Sequence, residues 1–162
     1  MARKERIYAQ DALNLLADLN KKIEETESHL ISLFKVSYVP EDIKKTESER
    51  FDNTFENYKL LLKQSRTIRH AIQKLNYRKK NSEDIMLLAE QQQIRRLLNK
   101  YQPETNSHWD QPTLTSRIKK LSDSIQKIKN KLINFNSSNQ VLVEIIPEVS
   151  ELMGWKKTKK TK

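Results

Sequence analysis

Apolar residues recur at helical spacing along nearly the whole chain. From Glu5 to Ser37, the positions Ala9, Ala12, Leu16, Leu19, Ile23, Thr26, Leu30 and Leu33 follow one another by alternating steps of three and four. That is a heptad seam with one polar interruption at Thr26, and it predicts a helix over about 5–37. Leu13, Leu15 and Phe34 widen the stripe, so this helix is expected to touch more than one neighbour. Pro40 ends it, because the residue before a proline is pushed out of helical backbone geometry.

A second helix is expected over about 41–79. Phe51, Phe55, Tyr58 and Leu62 form one seam, and Leu61, Ser65, Ile68, Ile72 and Leu75 continue it displaced by one residue. Such a slip implies a rewound coil or a change of partner near Tyr58 to Leu62. Asn81 and Ser82 followed by Glu83 and Asp84 read as a cap with an acidic first turn, opening a third helix over 82–101. Its stripe is Leu87, Gln91, Ile94, Leu98 and Tyr101, with Leu88 and Leu97 alongside.

Gln102 to Pro112 is rich in turn formers and reads as a loop. The fourth helix, about 113–135, carries the cleanest pattern. Leu114, Ile118, Leu121, Ile125, Ile128, Leu132 and Phe135 hold four-three spacing throughout, and this seam is expected to bind a partner helix. Asn134 to Asn139 reads as a second loop. Val141 to Ile146 is either a short strand or an irregular apolar plug, and Pro147 suits the first turn of a short helix ending near Gly154.

The expected fold class is therefore all-α, an elongated coiled-coil or helical-hairpin architecture of three to four long helices. The first two helices would pair antiparallel across Pro40. Residues 1–140 would form the helical body, 141–155 a short apolar docking segment and 156–162 a basic tail. Val141, Val143, Ile145, Leu152 and Trp155 are the expected docking residues, because this segment breaks the heptad pattern and is denser in apolar residues than one short stretch can bury alone. Trp109 is expected instead to fold back over the end of a helix pair.

Composition narrows the function. Only 36% of the 162 residues are hydrophobic and 32% are charged, which suits narrow helical seams better than a large spherical core. One glycine leaves no room for a glycine-rich phosphate loop, and the absence of cysteine removes disulfides and thiol chemistry. The N-terminal residues lack the apolar stretch of a signal peptide, and the longest apolar run is Ile85 to Ala89, too short to span a bilayer. His29, His70 and His108 are scattered without a second ligand three or four residues away, so no metal site is expected. Glu24, Glu25 and Glu27 read as solvated carboxylates on an open helix. No cofactor, no small-molecule substrate and no enzymatic activity are expected.

The net charge of +10 is unevenly spread. Residues 61–80 hold seven Lys or Arg (Lys63, Arg66, Arg69, Lys74, Arg78, Lys79, Lys80) and no Asp or Glu. Arg117, Lys119, Lys120, Lys127, Lys129 and Lys131 form a second block. Lys156, Lys157, Lys159 and Lys160 sit in a third, the tail, which also has the composition of a nuclear import signal. These blocks suit contact with a phosphate backbone or with acidic protein surfaces, Glu24, Glu25 and Glu27 included. Aromatic residues are not interleaved with them, which argues against base stacking.

A Lys-, Asn- and Ile-rich chain with alternating seams and a basic end is similar to small helical subunits of eukaryotic nuclear assemblies, including kinetochore complexes. The leading expectation is a non-catalytic coiled-coil scaffold subunit that docks other helical protein subunits, in a hetero-complex or a homo-oligomer. The location expected for it is intracellular and nuclear. The alternative is a basic helical nucleic-acid-binding protein in which the Lys and Arg blocks are the function.

Overall fold

The computed structural model describes residues 3–34, 41–101 and 109–155, the side chains of 41–45 excepted. The expected helix end at Ser37 to Pro40, the loop from Gln102 to His108 and the basic tail lie outside these residues. The described chain is mostly helical, in keeping with the expected class. It also contains two short strands. In order, the elements are β1 (Arg3–Tyr8), α1 (Ala9–Phe34), α2 (Glu41–Arg78), α3 (Ser82–Lys100), α4 (Gln111–Ser138), β2 (Gln140–Ile145) and α5 (Pro147–Leu152).

The chain divides into two compact units, Met1–Gln73 with Gln140–Lys162, and Lys74–Asn139. The segment from Gln140 onward falls in the same unit as the beginning of the chain. The cause is strand pairing. β1 and β2 are antiparallel, with Arg3 opposite Ile145, Glu5 opposite Val143 and Ile7 opposite Val141.

Two expectations are corrected here. Residues 5–8 belong to a strand, not to the first helix, which begins at Ala9. Val141, Val143 and Ile145 are not an outward docking surface, since their exposures are 3%, 0% and 7%. β2 alternates strictly, with these three residues inward and Gln140, Leu142 and Glu144 outward, as a half-buried strand must. Their inner face is covered within the chain, where α1 packs against both strands. Ala9 and Ala12, both buried, supply small side chains at the start of that helix.

Every α1 seam residue is buried or half-buried, from Ala9 through Leu16, Leu19, Ile23 and Leu30 to Leu33. Thr26, the polar interruption, donates its hydroxyl to the Lys22 carbonyl at 2.7 Å and so satisfies itself locally. α2 runs back along α1. The Phe34 ring meets Phe51 edge-on at 4.8 Å, and Arg69 reaches Asn20 far along both helices, which makes the pair antiparallel. Phe55 stacks on Phe51 in the first half of α2. Beyond the slip in its seam, Leu61, Gln64, Ser65 and Ile68 are buried.

Gln64 ties this helix to the sheet. Its side chain is fully buried. Nε2 donates to the Glu144 carbonyl at 2.9 Å, and Oε1 accepts from the Ile146 N–H at 2.7 Å. One amide thus satisfies two main-chain groups on the side of β2 that faces away from β1. Past the strand, α5 buries Val149 completely and closes on Gly154, whose φ is +63°. Trp155 N–H bonds the Ser150 carbonyl and Gly154 N–H the Glu151 carbonyl, the paired bonds of a left-handed helix cap. Trp155 itself is half-buried.

In the second unit the end of α2 is capped the same way, but by a lysine. Lys80 has φ +54°, with Asn81 N–H on the Asn76 carbonyl and Lys80 N–H on the Tyr77 carbonyl. α4 opens on Asp110, whose side chain accepts from Thr113 N–H at 2.9 Å, with Pro112 in the first turn. Hydrogen bonds from Thr113, hydroxyl first and N–H second, hold the Asp110 carboxyl below its ordinary range. The helix also runs three residues further than its pattern predicts, to Ser138. Ser137 and Ser138 donate to the Asn134 carbonyl and the Asn139 side chain donates to the Phe135 carbonyl, so the expected loop formers serve as the last turn and its cap.

Gln64→Leu is expected to cost about 1–3 kcal/mol, because it takes the side-chain partner from two part-buried main-chain groups while keeping the volume. Chemical denaturation followed by far-ultraviolet circular dichroism checks it. By the same measurement Lys80→Gly should stabilise the chain by about 1 kcal/mol, since glycine adopts the left-handed cap without a Cβ clash.

Candidate functional site

The predicted α4 seam turns inward. Leu114, Ile125 and Ile128 are buried, and Ile118, Leu121, Leu132 and Phe135 are half-buried. The helix that packs on α4 is α3 of the same chain. The expectation that this seam binds a partner chain is therefore corrected, because a sequence neighbour already occupies it. Lys131 on α4 pairs with Asp84 on α3 at 2.6 Å and helps fix the two helices together. At the start of α4, Trp109 lies edge-on to Tyr101 and carries the Arg117 guanidinium 4.4 Å over its ring. The aromatic side chain closes the helix pair, as expected of it.

α3 is the unusual element. It spans 19 residues and buries none of them. Its half-buried residues, Leu88, Gln91, Arg95 and Leu98, mark the side turned to α4. Leu87, Ile94 and Leu97 lie on another side, with exposures of 41%, 41% and 69%. Leu87, Glu90, Ile94, Leu97 and Tyr101 follow one another by three, four, three and four, which is itself a heptad seam. Met86 and Ile85 add exposed apolar area at its start. The stripe predicted for this helix merged two faces, one turned inward and one left open.

A second candidate lies in the first unit, between α1 and α2. An open groove of about 740 Å³ is lined by Asn20 and Ile23 from α1, and by Ser65, Arg66, Arg69 and His70 among others from α2. No carboxylate lines it. Arg69 is held in place, with Nη2 donating to Asn20 Oδ1 at 3.1 Å and Nε to Ser65 Oγ at 3.3 Å. Lys63 and Arg66 are exposed on the same helix. Pairing of this basic block with Glu24, Glu25 and Glu27 does not occur among the described residues. Glu25 pairs with Lys22 on its own helix.

The remaining sequence candidates are dispersed. Lys74, Arg78, Lys79 and Lys80 fall in the second unit, Leu152 is exposed on α5, and Lys156, Lys157, Lys159 and Lys160 lie outside the described residues. His29 is exposed on α1, and His70 is the one histidine of the described residues that lines the groove. No group of three His, Asp or Glu side chains among the described residues could hold a metal ion, and no described helix is long and apolar enough to cross a membrane. The chain matches no protein-family model, no curated protein and no solved structure.

One polar atom in the α3–α4 pair is out of balance. Gln91 Oε1 is buried with no hydrogen-bond partner. Gln91→Met keeps the length and removes the orphaned acceptor, so it is expected to stabilise the chain by about 1 kcal/mol in thermal or chemical denaturation. Gln91→Glu should destabilise it, since a carboxylate there is harder to desolvate.

Proposed function

We propose that the protein is a non-catalytic scaffold subunit that binds an amphipathic helix of another helical protein through the open face of α3. The observation that carries this reading is the heptad of exposed Leu87, Ile94 and Leu97 on a helix that buries no residue. A helix that packs on a neighbour through one stripe and keeps a second stripe at seam spacing is laid out for a further helix. Apolar area of this kind, contiguous along the helix, is what soluble proteins keep for contact.

The chemistry of the partner follows from the face. The seam is aliphatic with one acidic step at Glu90, and its flanks are the neutral side chains Met86, Gln91 and Gln93 with Lys100 at the far end. A partner helix with Leu or Ile at alternating steps of three and four, and a Lys or Arg beside Glu90, complements it. The coiled-coil architecture anticipated from the sequence is then completed between chains, and four helices of 19 to 38 residues supply its spacing elements. A nuclear assembly fits the basic tail.

The test is association of the full chain, purified from its native source by an affinity tag with the co-purifying chains identified, alongside sedimentation of the purified protein. The Leu87→Asp, Ile94→Asp, Leu97→Asp triple variant is expected to keep its helix content and unfolding midpoint and to lose association by at least about tenfold. Ile125→Asp with Ile128→Asp should instead unfold the α3–α4 pair, because those two side chains are buried. A triple variant that associates as well as the parent chain would rule the α3 face out.

A further inference from the structure

We propose that the groove between α1 and α2 is a phosphate-backbone binding site for nucleic acid, centred on Arg66, Arg69 and His70. It is independent of the α3 face, which lies in the other unit. Three features of the groove carry the inference.

The first is uncompensated charge. Every residue of 61–80 that ionises with a formal charge at neutral pH is a Lys or Arg. In the first half of α2 and on α1 some charges are paired locally, as Lys22 with Glu25, Arg50 with Glu47 and Lys59 with Glu56. No described carboxylate lies within ion-pair distance of Lys63, Arg66 or Arg69. A positive field left unanswered beside a concave surface attracts and concentrates anions.

The second is preorganisation. Arg69 has two of its N–H groups fixed by Asn20 and Ser65, one from each helix, which sets the plane of the guanidinium. Its other N–H groups remain for a ligand. Lys63, Arg66 and His70 follow at steps of three and four, so they share one side of α2 over roughly 10 Å. A duplex carries a negative charge about every 1.7 Å of its axis, so that length faces several phosphates at once.

The third is the balance of donors and acceptors. The Ser65 hydroxyl and the Gln73 amide join the cationic side chains at the groove, while the Thr67 hydroxyl donates to the Lys63 carbonyl of its own helix. These are the side-chain types that contact phosphate and sugar. The Asn20 carbonyl oxygen already accepts from Arg69, which leaves cationic and N–H donors as the larger share of the lining. A phosphodiester brings acceptors only and suits a donor-rich surface, whereas an extended acidic peptide also brings N–H groups that must be satisfied. No aromatic residue lines the groove, so recognition is of backbone and not of base sequence.

Fluorescence anisotropy of the full chain with a labelled mixed-sequence DNA duplex of about 20 base pairs, titrated across about 50 to 200 mM salt, tests this. Lys63→Gln with Arg66→Gln removes two exposed cations that make no side-chain hydrogen bond with a described residue, so the fold should be unchanged by circular dichroism. The expected result is an affinity loss of at least about tenfold and a log–log salt slope shallower by about 2. Lys119→Gln with Lys120→Gln, two exposed cations on α4, should leave affinity within about twofold. Absence of duplex binding by the parent chain overturns the proposal, as does an equal loss from both double variants, which would mean diffuse attraction to a basic protein. Polyglutamate displacing the duplex at equal charge concentration, with the same sensitivity to Lys63→Gln and Arg66→Gln, would overturn it in favour of an acidic protein ligand.

Discussion

The first unit depends on one closure, the pairing of β1 with β2 across more than a hundred intervening residues. A two-stranded ribbon is marginal in water by itself. Here it is held on two sides. α1 covers the face that carries Val141, Val143 and Ile145, and Gln64 of α2 occupies part of the β2 edge. The entropic cost of closing so long a loop grows only slowly with its length, so three buried β-branched side chains with their cover are enough to offset it. Remove the Gln64 amide and two part-buried polar groups at the edge of β2 lose their side-chain partner.

This explains why the ends of the chain were hard to read. β1 is RKERIY, in which Ile7 and Tyr8 are the only apolar residues, and nothing within that stretch distinguishes a strand from a frayed helix start. Its identity is set by residues beyond position 140. Gln64 was equally silent, being one polar residue among many on a charged helix, and only its distance from the sheet gives it a role. The helical seams were legible because their information is local. Ala9 to Leu33 on α1 and Leu114 to Phe135 on α4 mark the inward faces, with the register that the spacing predicts. The slip in the α2 seam was also legible as a change of surroundings, and Gln64 sits just beyond it, where β2 begins to share that helix.

What periodicity cannot supply is the occupant of a seam. The α4 heptads are as regular as those of an intermolecular coiled coil, yet α3 fills them from the same chain. The ambiguity is physical, since a helix thirty residues away in sequence and a helix on another chain offer the same apolar stripe. α3 resolves it in one direction only. With Leu88 and Leu98 committed inward, its Leu87, Ile94 and Leu97 have no partner face left in the α3–α4 pair.

The same logic separates the two basic regions. On α4 two of the cations have uses within the fold, Arg117 stacked on Trp109 and Lys131 paired to Asp84. On α2 the Lys63 and Arg66 side chains make no hydrogen bond or ion pair with a described residue, and Arg69 is the exception, held by Asn20 and Ser65 at the groove. Five like charges on α2 between Lys63 and Arg78 destabilise it through mutual repulsion, and opposite charges at i+4 would relieve that at little cost. Carboxylates do appear in the first half of α2, where Glu47 and Glu56 pair with Arg50 and Lys59. Their absence past Leu61 concentrates the repulsion where the groove opens. A polyanion bound in the proposed groove would supply a counter-charge where no described carboxylate does.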